Sequence, residues 1–178
     1  MKKARKGRST LILVLGGGAS GKSQAALDLA GPGGPKAFVA TGQALDGEMK
    51  ARIKRHQATR SVDWETAEVP NNIALWFSES GHNYQSIVLD CLTLWLSNLK
   101  RNRLDDLAVS DATTDLLLAI RTTKARVVIV SNELGLGLVP ATKPVRAFRD
   151  LAGRVNQQVA AEADEVYLTI SGLPLRLK

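Results

Sequence analysis

The chain has 178 residues, of which 44% are hydrophobic and 23% are charged. This composition is typical of a globular domain and argues against a disordered or fibrous protein, while the length suits a single domain. No apolar run reaches the ~18 residues of a membrane span. The 24 Lys and Arg residues exceed the 17 Asp and Glu residues and give a net charge of +7, which suggests a polyanionic partner such as nucleic acid.

The position of the charges weakens that hypothesis. Five basic residues lie within residues 1–8, which leaves 19 basic and 17 acidic residues in the rest of the chain. We therefore predict a basic, disordered tail at residues 1–8 and one domain at residues 9–178, with no nucleic-acid partner. The tail lacks the apolar segment of a secretory signal, and the single cysteine, Cys91, excludes an intrachain disulfide. Both features favour a cytoplasmic location.

Short apolar runs alternate with helical segments along the chain, and this pattern predicts an α/β fold with a mainly parallel central sheet. Strands are predicted, in chain order, at residues 10–15, 36–41, 62–69, 86–90, 126–131, 165–170 and 173–177. Helices are predicted at residues 22–30, 46–57, 71–80, 91–103 and 143–163, the last of them irregular near Gly153, and residues 116–123 are predicted to lie within a further helix.

The segment GGGASGKS at residues 16–23 joins the first predicted strand to the first predicted helix and matches the pattern G-x-x-x-x-G-K-[ST]. Glycines let backbone N–H groups approach phosphate oxygens, and the helix N-terminus adds partial positive charge. Lys22 is predicted to reach the β- and γ-phosphates as a catalytic residue, and the Ser23 hydroxyl to bind Mg²⁺. The predicted nucleotide-binding residues of this loop are Gly16, Gly17, Gly18, Ala19, Ser20, Gly21, Lys22 and Ser23.

The same glycines also fit the dinucleotide pattern G-x-G-x-x-G. That pattern gives no role to Lys22 and Ser23, and it needs an acidic residue at the tip of the second strand. The second predicted strand ends at Thr41 and Gly42 instead. We therefore favour a nucleoside triphosphate over a dinucleotide.

A magnesium site needs a further oxygen ligand beside the phosphate loop. Asp90 ends the fourth predicted strand, and ligands of α/β proteins bind at the carboxyl ends of strands. We predict that Asp90 and Ser23 hold Mg²⁺ together, although Asp90 is also placed to cap the next helix. Glu133, which follows the fifth predicted strand, is the competing acidic candidate.

The two histidines differ in their surroundings. His56 shares a predicted helix face with Met49 and Ile53, and four basic residues lie between positions 50 and 55. One interpretation is a histidine at the edge of the core. The other interpretation is a nucleophile. The neighbouring positive charges would keep the imidazole neutral, and the same charges would bind the phosphates of the nucleotide. His82 lies in a polar segment and is predicted to be exposed.

Several longer segments occur in the order of a known family: KAFVATGQALDGEMKARIKRH, TAE, VLDCLTLWLSNL, VSNELGLGLVP and FRDLAGRVNQ. Together with the phosphate loop, they make residues 10–178 resemble the bifunctional adenosylcobinamide kinase/adenosylcobinamide-phosphate guanylyltransferases of cobalamin synthesis. The chain departs from the family's usual pattern at Ala19, where arginine is common, and at Gly42, where serine is common. We expect an α/β, P-loop (RecA-like) three-layer domain.

The resemblance implies two reactions. A nucleoside triphosphate, ATP or GTP, phosphorylates the aminopropanol hydroxyl of adenosylcobinamide, and GTP then transfers GMP to that phosphate through a covalent histidine, which corresponds to His56. It also implies Mg²⁺ as cofactor and a homotrimer. A P-loop small-molecule kinase without guanylyltransferase activity is the alternative. Further nucleotide-binding residues are expected at Ala40, Thr41, Gly42, Arg60, Glu68 and Asp90, and residues 132–140 are a candidate substrate or subunit surface.

Overall fold

The computed structural model describes residues 9–43, 47 and 63–178 of the chain. The predicted tail at residues 1–8 and most of the predicted helix at residues 46–57 lie outside the described residues. So do the two candidate site residues His56 and Arg60. The division into a tail and one domain therefore stays a prediction.

The described residues form seven strands and five helices of eight residues or more. The strands are β1 (Thr10–Gly16), β2 (Lys36–Ala40), β3 (Trp64–Glu68), β4 (Ser86–Asp90), β5 (Arg126–Asn132), β6 (Glu165–Ile170) and β7 (Leu173–Arg176). The helices are α1 (Lys22–Leu29), α2 (Ile73–Ser80), α3 (Leu92–Arg101), α4 (Asp106–Thr122) and α5 (Lys143–Glu162). A short 3₁₀ turn at Gly81–Asn83 holds His82, which is exposed as predicted.

All seven strands belong to one sheet with the order β3-β2-β4-β5-β1-β6-β7. Every neighbouring pair is parallel except β6 and β7, which form an antiparallel hairpin at one edge. Parallel neighbours need long crossover connections, and the helices supply most of them. The carboxyl ends of β1, β4 and β5 consequently meet at one edge of the sheet.

The central strands are continuous apolar runs because both faces of the sheet are covered. Alternate residues point to opposite faces: Leu11 and Leu13 pack in the cluster that contains residues of α2, α3, α4 and α5. Ile12 and Val14 pack in the second cluster, to which α1 contributes. This arrangement confirms the predicted three-layer α/β fold with a mainly parallel sheet. No helix among the described residues is long and apolar enough to cross a membrane.

The structure adds the start of one helix and corrects the prediction for another. The helix that contains residues 116–122, α4, begins at Asp106, because the Asp105 side chain caps it by accepting the Ala108 N–H at 2.8 Å. α5 runs without interruption through Gly153. Its neighbours Leu151 and Ala152 are buried against the sheet, and this tertiary packing outweighs the low helix propensity of one glycine.

The cap of α4 gives a test of the helix start. Asp105→Ala removes the acceptor of the Ala108 N–H and should lower the free energy of unfolding by about 1 kcal/mol. For a chain of this size, the loss corresponds to a fall of about 2–4 °C in the thermal midpoint. Asp111→Ala, an exposed carboxylate inside the same helix, is the control and should not destabilise the protein. Equal midpoints for the Asp105→Ala variant and the wild type would contradict the assignment.

Candidate active site

The phosphate loop, residues 16–23, has a backbone that requires glycine at two positions. Gly21, which precedes α1, has a φ of 93°, in the left-handed region that favours glycine. At Gly16, a Cβ atom would lie 2.6 Å from both the Ser20 Oγ and the Thr169 carbonyl oxygen. The first glycine of the motif is therefore needed for close packing, and the second for the turn into the helix.

The turn of the β6–β7 hairpin contacts this loop directly. Its two-residue turn, Ser171 and Gly172, has positive φ angles of 50° and 83°, as a type I′ turn requires. The Gly172 N–H donates to the Ser20 carbonyl at 2.9 Å, and a Cβ on Gly21 would lie 3.0 Å from the Gly172 Cα. The sequence pattern does not predict this contact. The Ser-Gly pair before the last strand signals the turn, but not what the turn touches.

Lys22 lies at the start of α1, where the positive end of the helix dipole meets the loop. Its side chain is 8% exposed and its ammonium group donates a hydrogen bond to the Gly17 carbonyl. The side chain thus folds back over the loop instead of extending into solvent. This places a positive charge beside the backbone N–H groups, as a phosphate site requires.

The structure brings Ser23 and Asp90 together, as the sequence analysis predicted. The Ser23 hydroxyl donates to Asp90 Oδ2 at 2.7 Å, although β4 and β1 are separated by β5. A hydroxyl and a carboxylate are hard oxygen donors, and Mg²⁺ in nucleotide enzymes takes one or two such ligands beside phosphate oxygens. The pair therefore fits Mg²⁺. Among the described residues, no group of three or more His, Cys, Asp or Glu side chains is arranged to hold a metal ion.

Ala40, Thr41, Gly42 and Glu68 lie at the same carboxyl edge of the sheet, where Ala40 pairs with both Asp90 and Glu68. Thr41 is fully buried, and its hydroxyl donates to the Cys91 carbonyl at 2.8 Å and accepts the Cys91 N–H at 2.9 Å. This hydroxyl therefore holds the backbone that follows Asp90 instead of facing a ligand, and the predicted nucleotide contact of Thr41 gains no support from its side chain.

Glu68 lies far from the phosphate loop. It ends β3, and β3 is four strands away from β1. At a spacing of ~4.8 Å between neighbouring strands, this amounts to ~19 Å across the sheet. A nucleotide contact by Glu68 is therefore a contact with a part of the ligand remote from the phosphates bound by the loop, and it stays a prediction.

Glu133 does not bind Ser23, but it lies beside the loop. Its backbone N–H donates to the Gly16 carbonyl at 2.9 Å, and its Oε1 accepts the Gly135 N–H at 2.9 Å. The preceding residue, Asn132, is held by its N–H to the Thr93 Oγ1 and by its carbonyl to the Asn156 side chain, both at 3.0 Å. The acid that pairs with the loop serine is thus Asp90, and Glu133 occupies a separate place.

Cys91 is not a nucleophile in this site. Burial raises the pKa of its thiol to about 12, and the negative charge of Asp90 contributes in the same direction. The thiol is therefore protonated at neutral pH, and protonated thiols react slowly with electrophiles. Cys91 packs with Ile12 and Val14 in the second core cluster.

The geometry agrees with comparisons to known proteins. A model of the family "cobinamide kinase / cobinamide phosphate guanyltransferase" matches residues 12–177. The bifunctional adenosylcobalamin biosynthesis protein CobU of Salmonella typhimurium is 39% identical over 180 residues, which cover 94% of this chain and 99% of that protein. The corresponding protein CobP of Pseudomonas aeruginosa is 40% identical over 168 residues, with shares of 93% and 96%.

Solved structures agree on the fold. The crystal structure of the RadB recombinase superimposes with a TM-score of 0.50 and 16% identity, and the match covers 89% of this chain and 73% of that one. At this level of identity the likeness supports the P-loop architecture alone. It therefore confirms the fold class predicted from the order of strands, loop and helices.

The close approach of Gly21 to the hairpin gives a test of the loop. Gly21→Ala places a Cβ at a positive φ and 3.0 Å from the Gly172 Cα, a strain of about 1–3 kcal/mol that distorts the loop. We expect affinity for a fluorescent GTP analogue to fall at least about tenfold. Gly153→Ala, whose Cβ meets no atom within 4 Å, is the matched control and should bind like the wild type. Wild-type affinity of the Gly21→Ala variant would contradict the conformation described for the loop.

The raised pKa of Cys91 gives a second test. The pKa of the Cys91 thiol is raised to about 12 in the folded protein, so the thiol stays protonated at pH 8. After unfolding it ionises near its ordinary value of 9.0. Labelling with a maleimide or iodoacetamide at pH 8 should be negligible for the native protein and complete in 6 M guanidinium chloride, as followed by mass spectrometry. Rapid labelling of the native protein would show an exposed or ionised thiol.

Proposed function

Because the chain belongs to the cobinamide kinase/cobinamide phosphate guanyltransferase family, we propose that it catalyses both reactions of that family on adenosylcobinamide. A nucleoside triphosphate first phosphorylates the aminopropanol hydroxyl. GTP then gives GMP to the new phosphate, and adenosylcobinamide-GDP and pyrophosphate are the products. The observation that carries the proposal is the phosphate loop with its Ser23–Asp90 pair, in a chain that matches the family over residues 12–177.

In the kinase step, the protein mainly positions and neutralises the triphosphate. The N–H groups of the phosphate loop and the N-terminus of α1 bind phosphate oxygens, and the Lys22 ammonium moves from the Gly17 carbonyl to the β- and γ-phosphates. Ser23 and Asp90 would hold Mg²⁺, which neutralises charge on the phosphate oxygens. ATP and GTP are both suitable donors, since this loop contacts phosphates and not the base.

In the guanylyltransferase step, we assign the nucleophile to His56, which lies outside the described residues. A neutral imidazole nitrogen attacks the α-phosphorus of GTP, the bond to the β-phosphate oxygen breaks, and pyrophosphate leaves. An oxygen of the corrinoid phosphate then attacks the same phosphorus and releases the histidine. Arg60 and the basic residues around His56 supply positive charge for the phosphates.

Assembly and location also belong to this proposal. Exposed apolar side chains on the β6–β7 hairpin and in the loop after β5 supply surfaces that an association would bury: Leu136, Leu138, Val139, Leu173 and Leu175. Leu138 is the extreme case at 96% exposure. We propose a homotrimer, with three times the mass of one chain in light scattering, and a cytoplasmic location.

The histidine intermediate separates the two-step enzyme from a simple kinase. Incubation with GTP labelled at the α-phosphate should produce a protein–GMP adduct that is labile to acid and stable to base. His56→Ala should abolish the adduct, since no imidazole remains to attack phosphorus. His82→Ala is the matched control, because His82 is exposed and follows α2, before β4.

The outcomes distinguish the alternatives. An adduct that persists in the His56→Ala variant refutes the assignment of the nucleophile. Transfer of the γ-phosphate to adenosylcobinamide with no adduct in the wild type identifies a kinase without guanylyltransferase activity.

A further inference from the structure

We propose that Glu133 is the general base of the kinase step and takes the proton of the acceptor hydroxyl as that hydroxyl attacks the γ-phosphorus. This inference rests on the proposed function and assigns a role to a residue that the phosphate-loop motif leaves unused. Its basis is that β5, which leads into Glu133, lies between β1 and β4 in the sheet, together with the hydrogen bonds that fix the Glu133 backbone.

Sheet order places Glu133 at the end of the strand next to β1. β5 lies between β1, which leads into the phosphate loop, and β4, which ends at Asp90. Asn132 pairs with Gly16, so Glu133 is the first residue beyond the paired ends of the two strands. Its N–H donates to the Gly16 carbonyl at 2.9 Å, which ties its backbone directly to the first residue of the loop.

The segment before the carboxylate is fixed from two further helices. The Thr93 hydroxyl at the start of α3 accepts the Asn132 N–H, and the buried Asn156 side chain of α5 donates to the Asn132 carbonyl. A base must be held at hydrogen-bond distance from the proton it takes, so a rigid backbone favours the role. The Glu133 side chain itself is partly exposed, and a substrate can therefore reach it.

The carboxylate has acceptor capacity left over. Oε1 accepts the Gly135 N–H at 2.9 Å, and within the described residues no hydrogen bond engages Oε2. The bond to Gly135 orients the group without consuming the second oxygen. Oε2 is therefore the atom that we assign to the acceptor hydroxyl.

Other described groups at this edge are less suited to the task. Asp90 accepts the Ser23 hydroxyl, and Cys91 is a protonated, buried thiol. Glu68 lies ~19 Å from the phosphate loop across the sheet. His82 precedes β4 and so lies at the opposite, amino-terminal edge.

The kinase step couples attack on the γ-phosphorus to the transfer of one proton. The aminopropanol oxygen forms a bond to the γ-phosphorus while its proton passes to Glu133 Oε2. The bond between the γ-phosphorus and the β,γ-bridging oxygen breaks, and the nucleoside diphosphate leaves with that electron pair. The proton is later released to water, which restores the carboxylate.

The guanylyltransferase step does not require a general base for its acceptor. Its attacking group is a phosphate monoester, whose second pKa is about 6, so its oxygens are largely ionised at neutral pH and need no base. Loss of the Glu133 carboxylate should therefore impair the kinase step and spare the guanylyltransferase step. A purely structural role for Glu133 would impair both.

Glu133→Gln tests this asymmetry in the full-length protein, because the amide oxygen still accepts the Gly135 N–H but the side chain no longer takes a proton. We expect kcat of the kinase step to fall at least about 100-fold, with KM for the triphosphate unchanged and the acidic limb of the pH profile lost. Formation of the protein–GMP adduct and transfer of GMP to supplied adenosylcobinamide phosphate should match the wild type. Glu79→Gln, an exposed carboxylate on α2, is the control.

Two results would overturn the assignment: a kinase kcat within a few-fold of wild type, or an equal loss of both reactions. Glu133→Asp is a second, independent test if the glutamine variant folds poorly, since it keeps a carboxylate. It should retain the acidic limb of the pH profile, and absence of that limb would also refute the role. A wild-type protein with neither activity would instead refute the proposed function.

Discussion

The close packing around Gly16 is the constraint on which the rest of the site depends. At this residue the Ser20 side chain and the Thr169 carbonyl approach so closely that no Cβ fits between them. Because glycine lacks a Cβ, β1 pairs with β5 and β6 up to its last residue, Gly16, and the loop follows directly. The Glu133 N–H and the Gly172 N–H then hold the two ends of the same loop. The phosphate loop is thus held by contacts from two separate parts of the chain, Glu133 after β5 and the β6–β7 hairpin.

The net charge of +7 turns out to describe the site poorly. In the described part of the site, the positive potential comes from the Lys22 ammonium, the N-terminus of α1 and the loop N–H groups, and the last two carry no formal charge. Asp90 partly offsets this potential and pairs with Ser23. Local geometry, and not the net charge of the whole chain, therefore determines how well this site attracts phosphate.

Much of the fold and part of the site were predictable because their signals are local. An apolar strand followed by GGGASGKS specifies the β1–loop–α1 unit, and the strand ending at Asp90 specifies a carboxylate at the same edge. The hairpin contact through Gly172 and the buried role of Thr41 were missed, and the start of α4 was not predicted. The first two depend on residues distant in sequence, and the cap at Asp105 lay in a polar segment without clear periodicity.

The two proposed reactions place different geometric demands on one bound triphosphate. In-line displacement at the γ-phosphorus requires the acceptor beyond the end of the nucleotide, whereas displacement at the α-phosphorus requires a nucleophile opposite the departing pyrophosphate. The group that attacks the γ-phosphorus and the group that attacks the α-phosphorus cannot occupy the same position. A single phosphate loop can therefore serve both reactions only if different segments of the chain supply the residues that act in each. Glu133, tied to Gly16 at the centre of the sheet edge, and His56, in the segment after β2, come from such separate segments. The two proposals therefore draw these partners from separate parts of the sequence, one directly after β5 and one after β2.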